Sequence, residues 1–266
     1  YLNESLEENL MVKLGLVTYN LAKSWDLDTI AERCSSHGIA AVELRTTHGH
    51  GVEISMGTEE RKAVREFFRQ SEIQQLSLGS TCEYHSRDQE NVAANIEETK
   101  KYIQLAEDIG AIGVKVRPNG FHGDKGVSKE TTLNQIGQSL RRCGEAAEGT
   151  GVAVWLEVHG IGTSHPPYIE KIMEIADHPK VGVCWNSNPA DVVDGSVLQY
   201  FNLLKPWLMS VHINNLWNEE YPYRELFGLL DRSGYEGYCL AEIAEESLEP
   251  DTFLRYYNAL MRELGG

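Results

Sequence analysis

The chain has 266 residues and a formal net charge of -16, a balance that argues against a broad surface field for nucleic acid or anionic membrane. No apolar run reaches the ~18 residues of a membrane span. The cysteines, Cys34, Cys82, Cys143, Cys184 and Cys239, lack CxxC spacing, and the last two sit in apolar runs. They read as buried free thiols, so a reducing, cytoplasmic location is expected, with export after signal removal as the alternative.

Residues 1–10 are polar and acidic and read as an N-terminal arm, followed by a single domain over 11–266. Strands are expected at 13–19, 39–44, 74–78 and 111–116. The first helix follows a cap at Asp26 or Asp28 and stops near His37 and Gly38. The next opens at Thr58, with Glu59 and Glu60 suited to its positive end. A long amphipathic helix spans about 88–109 and ends at Gly110, and Ser128 caps another that runs to about Ala147. Four more apolar strands follow, separated by helices near 167–177, 197–205 and 222–233, and a helix over 251–264 closes the chain. Eight strands alternating with eight helices over this length predict an α/β fold, a closed (β/α)8 TIM barrel. The alternative is an open doubly wound sheet. Its usual Gly-rich turn after the first strand is not found in Val17-Thr-Tyr-Asn-Leu21.

The last four strands share one pattern. Val152-Ala-Val-Trp-Leu runs into Glu157, with His159 on the same side by parity. Val181-Gly-Val-Cys-Trp ends in Asn186, Leu208-Met-Ser-Val in His212 with Asn214 two places on, and Tyr238-Cys-Leu-Ala in Glu242. In a barrel the C-terminal strand ends carry the chemistry. Two carboxylates, an imidazole and an amide oxygen there suit one divalent metal ion, Mn2+, Mg2+, Co2+ or Zn2+.

On these residues the chain resembles the xylose-isomerase-like barrels, which include sugar phosphate isomerases/epimerases, ketose 3-epimerases and endonuclease IV. The resemblance spans about Lys13 to Leu264 and is strongest in Leu-Glu157-Val-His, Cys-Trp-Asn186, Val-His212-Ile-Asn and Ala-Glu242-Ile. It implies metal-ligand roles for Glu157, Asn186, His212 and Glu242, and acid/base roles for Glu157 and Glu242. The implied reaction is metal-dependent isomerisation or epimerisation of a sugar or sugar derivative, by proton abstraction next to a carbonyl through an enediolate. Elimination by a lyase is the alternative on the same site; a non-catalytic sugar-binding barrel with a decayed metal site is another. Two positions depart from the pattern: Asn186 stands where the family usually has Asp, and Pro189 where it often has a substrate-touching His. An amide in place of a carboxylate predicts weaker ion binding and a more strongly Lewis-acidic ion.

Substrate contacts are expected from His159, Asn214, Lys115, Arg117, His48 and Glu83, with His50 and His85 nearby. Trp185 and Trp217 are candidates for stacking on a sugar face, with core or loop packing as the alternative. An endonuclease reading lacks the extra zinc ligands and basic loops that it needs. The turns after strands seven and eight are acidic and without Gly, unlike barrel phosphate sites. The expected partner is therefore a small-molecule carbohydrate, with no nucleic acid and no membrane, and with a homo-oligomer left open.

Overall fold

The computed structural model describes residues 12–247 and 249–265; the expected arm at 1–10 lies outside them. In chain order the main elements are β1 (Lys13–Val17), α1 (Leu27–Ser36), β2 (Ala41–Arg45), α2 (Thr58–Gln70), β3 (Gln75–Glu83) and α3 (Gln89–Ile109). Then come β4 (Gly113–Arg117), α4 (Lys129–Ala146), β5 (Ala153–Glu157), α5 (Pro166–Ala176), β6 (Val181–Asn186) and α6 (Leu198–Leu204). The chain closes with β7 (Leu208–Ile213), α7 (Tyr223–Arg232), β8 (Tyr238–Ala241) and α8 (Pro250–Gly265). Every strand pairs in parallel with the next, and β8 pairs with β1 from Lys13 opposite Tyr238 to Leu16 opposite Ala241. That last ladder closes the sheet and excludes the doubly wound alternative.

The helix ends follow the expected signals. The Asp26 carboxylate accepts from the Thr29 N–H, and Ser128 accepts from the Thr131 N–H. Asp88 caps α3, and Gly110 ends it in the left-handed conformation. Strand three departs from expectation: it runs on to Glu83 rather than stopping at Leu78. Gly79 lies opposite Lys115 and Glu83 opposite Arg117, so a register shift absorbs the extra residues of β3. A run of small and polar residues, Gly79-Ser-Thr, hides a strand from a hydrophobicity reading. All five cysteines are free and buried, as expected. Among the described residues no helix is long and apolar enough to cross a membrane.

Two apolar zones hold the barrel. The larger lies between the strands and the surrounding helices. The smaller, Val17, Ala41, Tyr238 and Leu240, fills the lower lumen. Trp155 lies opposite Lys115 in the β4–β5 ladder, with the same parity as Glu157. A Cβ on Gly113 would lie 2.2 Å from its ring, so glycine is what admits the indole. Over this floor the lumen turns polar: Glu43, Lys115, Glu157 and His212 are all buried. Buried charges are costly unless paired, so this layer is where function is to be sought.

Candidate metal centre and active site

Strands β5, β7 and β8 bring Glu157, His212 and Glu242 together. Their ligand atoms all lie within 4.8 Å of one another, the one such group of His, Cys, Asp and Glu among the described residues. His212 Nδ1 is 3.8 Å from Glu157 Oε1 and 3.7 Å from Glu242 Oε2. Those distances exceed hydrogen bonds, and Nδ1 is buried without a partner. Donor atoms that face one another across such a gap suit a shared cation, and the residue types are those of Zn2+ or Mn2+ sites. Asn186 lies opposite His212 in the β6–β7 ladder. Its Nδ2 donates to Glu157 Oε1 at 2.9 Å, and its Oδ1 accepts from Asn214 Nδ2 at 2.9 Å. Asn186 thus abuts the group and presents its amide nitrogen to it.

The second oxygen of Glu157 is held by Lys115, whose Nζ donates to Oε2 at 2.8 Å with both side chains 2 % exposed. Burial pushes the Glu157 pKa up, but Lys115 and His212 outweigh it and keep the carboxyl well below its usual range. Burial likewise disfavours the Lys115 ammonium, while Glu157, Glu43 and Glu242 together raise its pKa. Burial also opposes a charged His212. Cys184 and the Glu43 and Glu157 carboxylates overcome that, and its pKa is raised.

Glu43, on β2, is the residue that the sequence reading missed. Its Oε1 lies 3.3 Å from His212 Nε2, on the side of the imidazole away from Glu157 and Glu242. A carboxylate behind a ligating histidine orients the ring and raises its basicity. Both Glu43 oxygens are buried without hydrogen bonds, and a Cβ on Gly79 would come within 2.7 Å of Oε1. The available signal was a carboxylate between Val42 and Leu44 in an otherwise apolar strand.

The expected substrate residues divide into two groups. His159 has a buried Nδ1 without a partner, and it lies near enough to Glu157 to favour that carboxylate's charge. Asn214 joins Asn186 to the Ser187 carbonyl. Lys115 lies beneath the mouth on Glu157. Arg117 Nη2 donates to Glu83 Oε2 at 3.3 Å, and Asn119 Nδ2 also donates to that oxygen. His48 is tied through Nδ1 to the Thr18 carbonyl, and His50 bonds the Arg45 carbonyl. Trp185 is buried with its Nε1 on the Tyr221 hydroxyl, so it packs rather than stacks on a ligand. Trp217 is 47 % exposed and meets Phe253 and Tyr257 of α8 edge-on.

A cleft of 540 Å³ opens beside Glu242 and Asn214, lined by residues of the segments that follow β6, β7 and β8. Glu242, whose side chain is 15 % exposed, stands at its wall, whereas Glu157 is sealed below. A larger groove of 820 Å³ lies between α1 and α8. Its Arg33 and His37 are already joined to Asp251, and none of Glu157, Asn186, His212 and Glu242 lines it. The smaller cleft is therefore the one that borders this group.

Comparison with known proteins places this geometry in context. No curated protein matches the sequence. Among solved structures, the chain is similar to apo 3-keto-D-glucoside 4-epimerase YcjR from E. coli, with TM-score 0.75 and 15 % identity over 95 % of this chain and 99 % of that one. It is also similar to a D-psicose 3-epimerase crystallised with D-fructose, with TM-score 0.76 and 14 % identity over 96 % of this chain and 100 % of that one. A third similar structure is the IOLI protein with a bound zinc atom, with TM-score 0.73 and 17 % identity over 95 % of this chain and 96 % of that one. At such identities the likeness establishes the fold. The family model described as xylose isomerase-like TIM barrel matches residues 31–259, so with its closed barrel this chain belongs to the xylose isomerase-like TIM barrel family.

Proposed function

We propose that the chain is a metal-dependent sugar isomerase or epimerase that removes a proton next to a carbonyl and returns it through an enediolate. The observation that carries this reading is the unpartnered His212 Nδ1 facing Glu157 and Glu242 at 3.8 and 3.7 Å beside an open cleft. Glu157, His212 and Glu242 would hold the ion, with Asn186 as the fourth ligand once its amide turns to present oxygen. A bound divalent ion supplies positive charge that polarises a substrate carbonyl. The similar proteins include two sugar epimerases and one that holds zinc, which supports the same reading.

The chain's own groups divide the remaining work. Glu242 borders the cleft and is the carboxylate best placed to take a proton from a bound sugar. Glu157 is anchored on both oxygens, by Lys115 and Asn186, and is the firmer ligand. It would serve as the second acid/base group, its Oε1 freed once the Asn186 amide turns its nitrogen away. Glu43 holds the His212 ring from behind. His159 and Asn214 offer polar contacts to substrate hydroxyls beside the carboxylates. Arg117 and Glu83 neutralise each other and shape the opposite rim.

The test is solvent exchange. The protein, loaded with Mn2+, Mg2+, Co2+ or Zn2+ in D2O, is given free ketoses and 3-keto glucosides, and deuterium at the carbon beside the carbonyl is followed by NMR. Incorporation is expected, and Glu242→Gln should lower its rate by ~10²–10⁴-fold with the fold intact. No incorporation into any sugar by protein that demonstrably binds the ion would sink the reading. Loss of a β-substituent without isomer formation would replace it by elimination.

A further inference from the structure

The cleft beside Glu242 extends beyond the residues that the reaction itself needs. At 540 Å³ it falls within the range of about 300–1,000 Å³ that encloses drug-sized ligands, more room than one pyranose ring fills. Its inner end is Glu242 and Asn214. Its outer part includes Asp194, Asn218 and Glu220, all exposed. None of its described lining residues is Lys, Arg or His. The two cations of β4 offer no substitute, because Lys115 is bound to Glu157 and Arg117 to Glu83. An anionic group in the outer part would face Asp194 and Glu220 with no basic side chain among the described lining residues to offset the repulsion.

Hydroxyl groups fit this lining. Carboxylates accept their protons, and amides both donate and accept. Asn218 uses its Oδ1 on the Glu220 N–H at 3.1 Å, which leaves its NH2 to donate. Asn215 donates to Glu245 at 3.2 Å, which leaves its Oδ1 to accept. The lining beside Glu242 and Asn214 therefore offers both donors and acceptors to hydroxyl groups.

We infer that the substrate carries a second, uncharged polyhydroxylated unit, a glycosidically linked sugar, seated in the outer cleft against Asn218 and Glu220, and that it carries no phosphate. This rests on the carbohydrate reading of the site proposed above, but its test needs binding alone and no turnover.

Isothermal titration of the Mn2+-loaded full chain with glucose, galactose, maltose, cellobiose, lactose, sorbitol and glucose 6-phosphate provides the test. At least one disaccharide should bind about tenfold more tightly than either monosaccharide, and glucose 6-phosphate more weakly than glucose. Sorbitol should bind no better than glucose; a match to the disaccharide would mean that a hydroxylated chain, not a second ring, is what the cleft holds, and would overturn the glycoside assignment. Asn218→Ala, at an exposed position, should weaken the disaccharide about fivefold, the scale of one lost hydrogen bond, and leave glucose unchanged. Equal affinity for one ring and two, no binding of any disaccharide, tighter binding of the phosphate ester, or an Asn218→Ala variant with unaltered disaccharide affinity would each overturn the inference. Disaccharide binding without deuterium exchange would instead remove the proposed reaction and leave the cleft assignment standing.

Discussion

On the β1–β4 half of the mouth, Lys115 and Arg117 each meet a glutamate, at 2.8 and 3.3 Å. On the β5–β8 half, His212 Nδ1 faces two carboxylates at 3.8 and 3.7 Å and bonds neither. Both halves carry charge at strand ends, yet the two cations of β4 have partners and the His212 Nδ1 of β7 has none. Satisfied charge fixes positions, whereas unsatisfied charge is available to something from outside. Glu157 joins the halves, with one oxygen on the lysine of β4 and the other turned toward His212 and Asn186. Glu43, on β2, reaches across to the other His212 ring nitrogen, Nε2, at 3.3 Å, and neither of its oxygens is hydrogen-bonded.

The strongest way to break this comparison is to remove the cation of the satisfied half. Lys115→Met leaves Glu157 and Glu43 buried without their countercharge, and uncompensated burial of that kind costs about 3–5 kcal/mol. Urea unfolding of the metal-free protein should show the loss, and Glu157→Gln added to Lys115→Met should recover part of it. A midpoint equal to wild type would mean that the ion pair is not what holds the β4 side in place.

A second test lies behind the cleft, at Asp191 in the turn after β6. Burial raises its pKa from 3.8 to about 8, although the Asn188 N–H and the Tyr221 hydroxyl pull the other way. A group whose pKa is higher in the folded state stabilises most below its ordinary pKa, and that contribution fades as pH rises through the folded value. Between about pH 4 and pH 8 wild type should therefore lose stability relative to Asp191→Asn. The melting temperature of wild type should fall relative to that of Asp191→Asn by about 10 °C between pH 5 and pH 9. Parallel pH profiles would show that Asp191 is ionised throughout.

The smallest effect is the one that most sharpens the unsatisfied half. Asn186→Asp removes the donor on Glu157 Oε1 and sets two carboxylates together. Metal-free protein should melt lower than wild type, and ion affinity should rise about tenfold by calorimetry. Equal affinities in the two proteins would remove Asn186 from the ligand set.

Much of this was legible before any coordinates. Apolar strands that ended in Glu157, His212 and Glu242 exposed the gap, because a buried run tolerates charge only where a partner or ligand meets it. Parity placed Lys115 and Arg117 on one face. It said nothing of what lay opposite, so two residues read as substrate contacts turned out to face glutamates. Glu43 escaped because it lies within its strand rather than at the tip. Asp191 escaped because its partner, the Tyr221 hydroxyl, lies thirty residues later in the chain and is joined to it only by the fold. The extra length of β3 escaped because glycine and serine give a hydrophobic pattern nothing to register.

Gly113 leaves room for the ring of Trp155, which lies opposite Lys115 and two residues before Glu157 on the same strand. Its indole is 2 % exposed and its Nε1 has no hydrogen-bond partner, so bulk solvent has little hold on its excited state. If an ion binds at Glu157, His212 and Glu242 as proposed, its charge changes the field at this indole, so a Trp155→Phe variant should lose part of the ion-dependent change in tryptophan fluorescence.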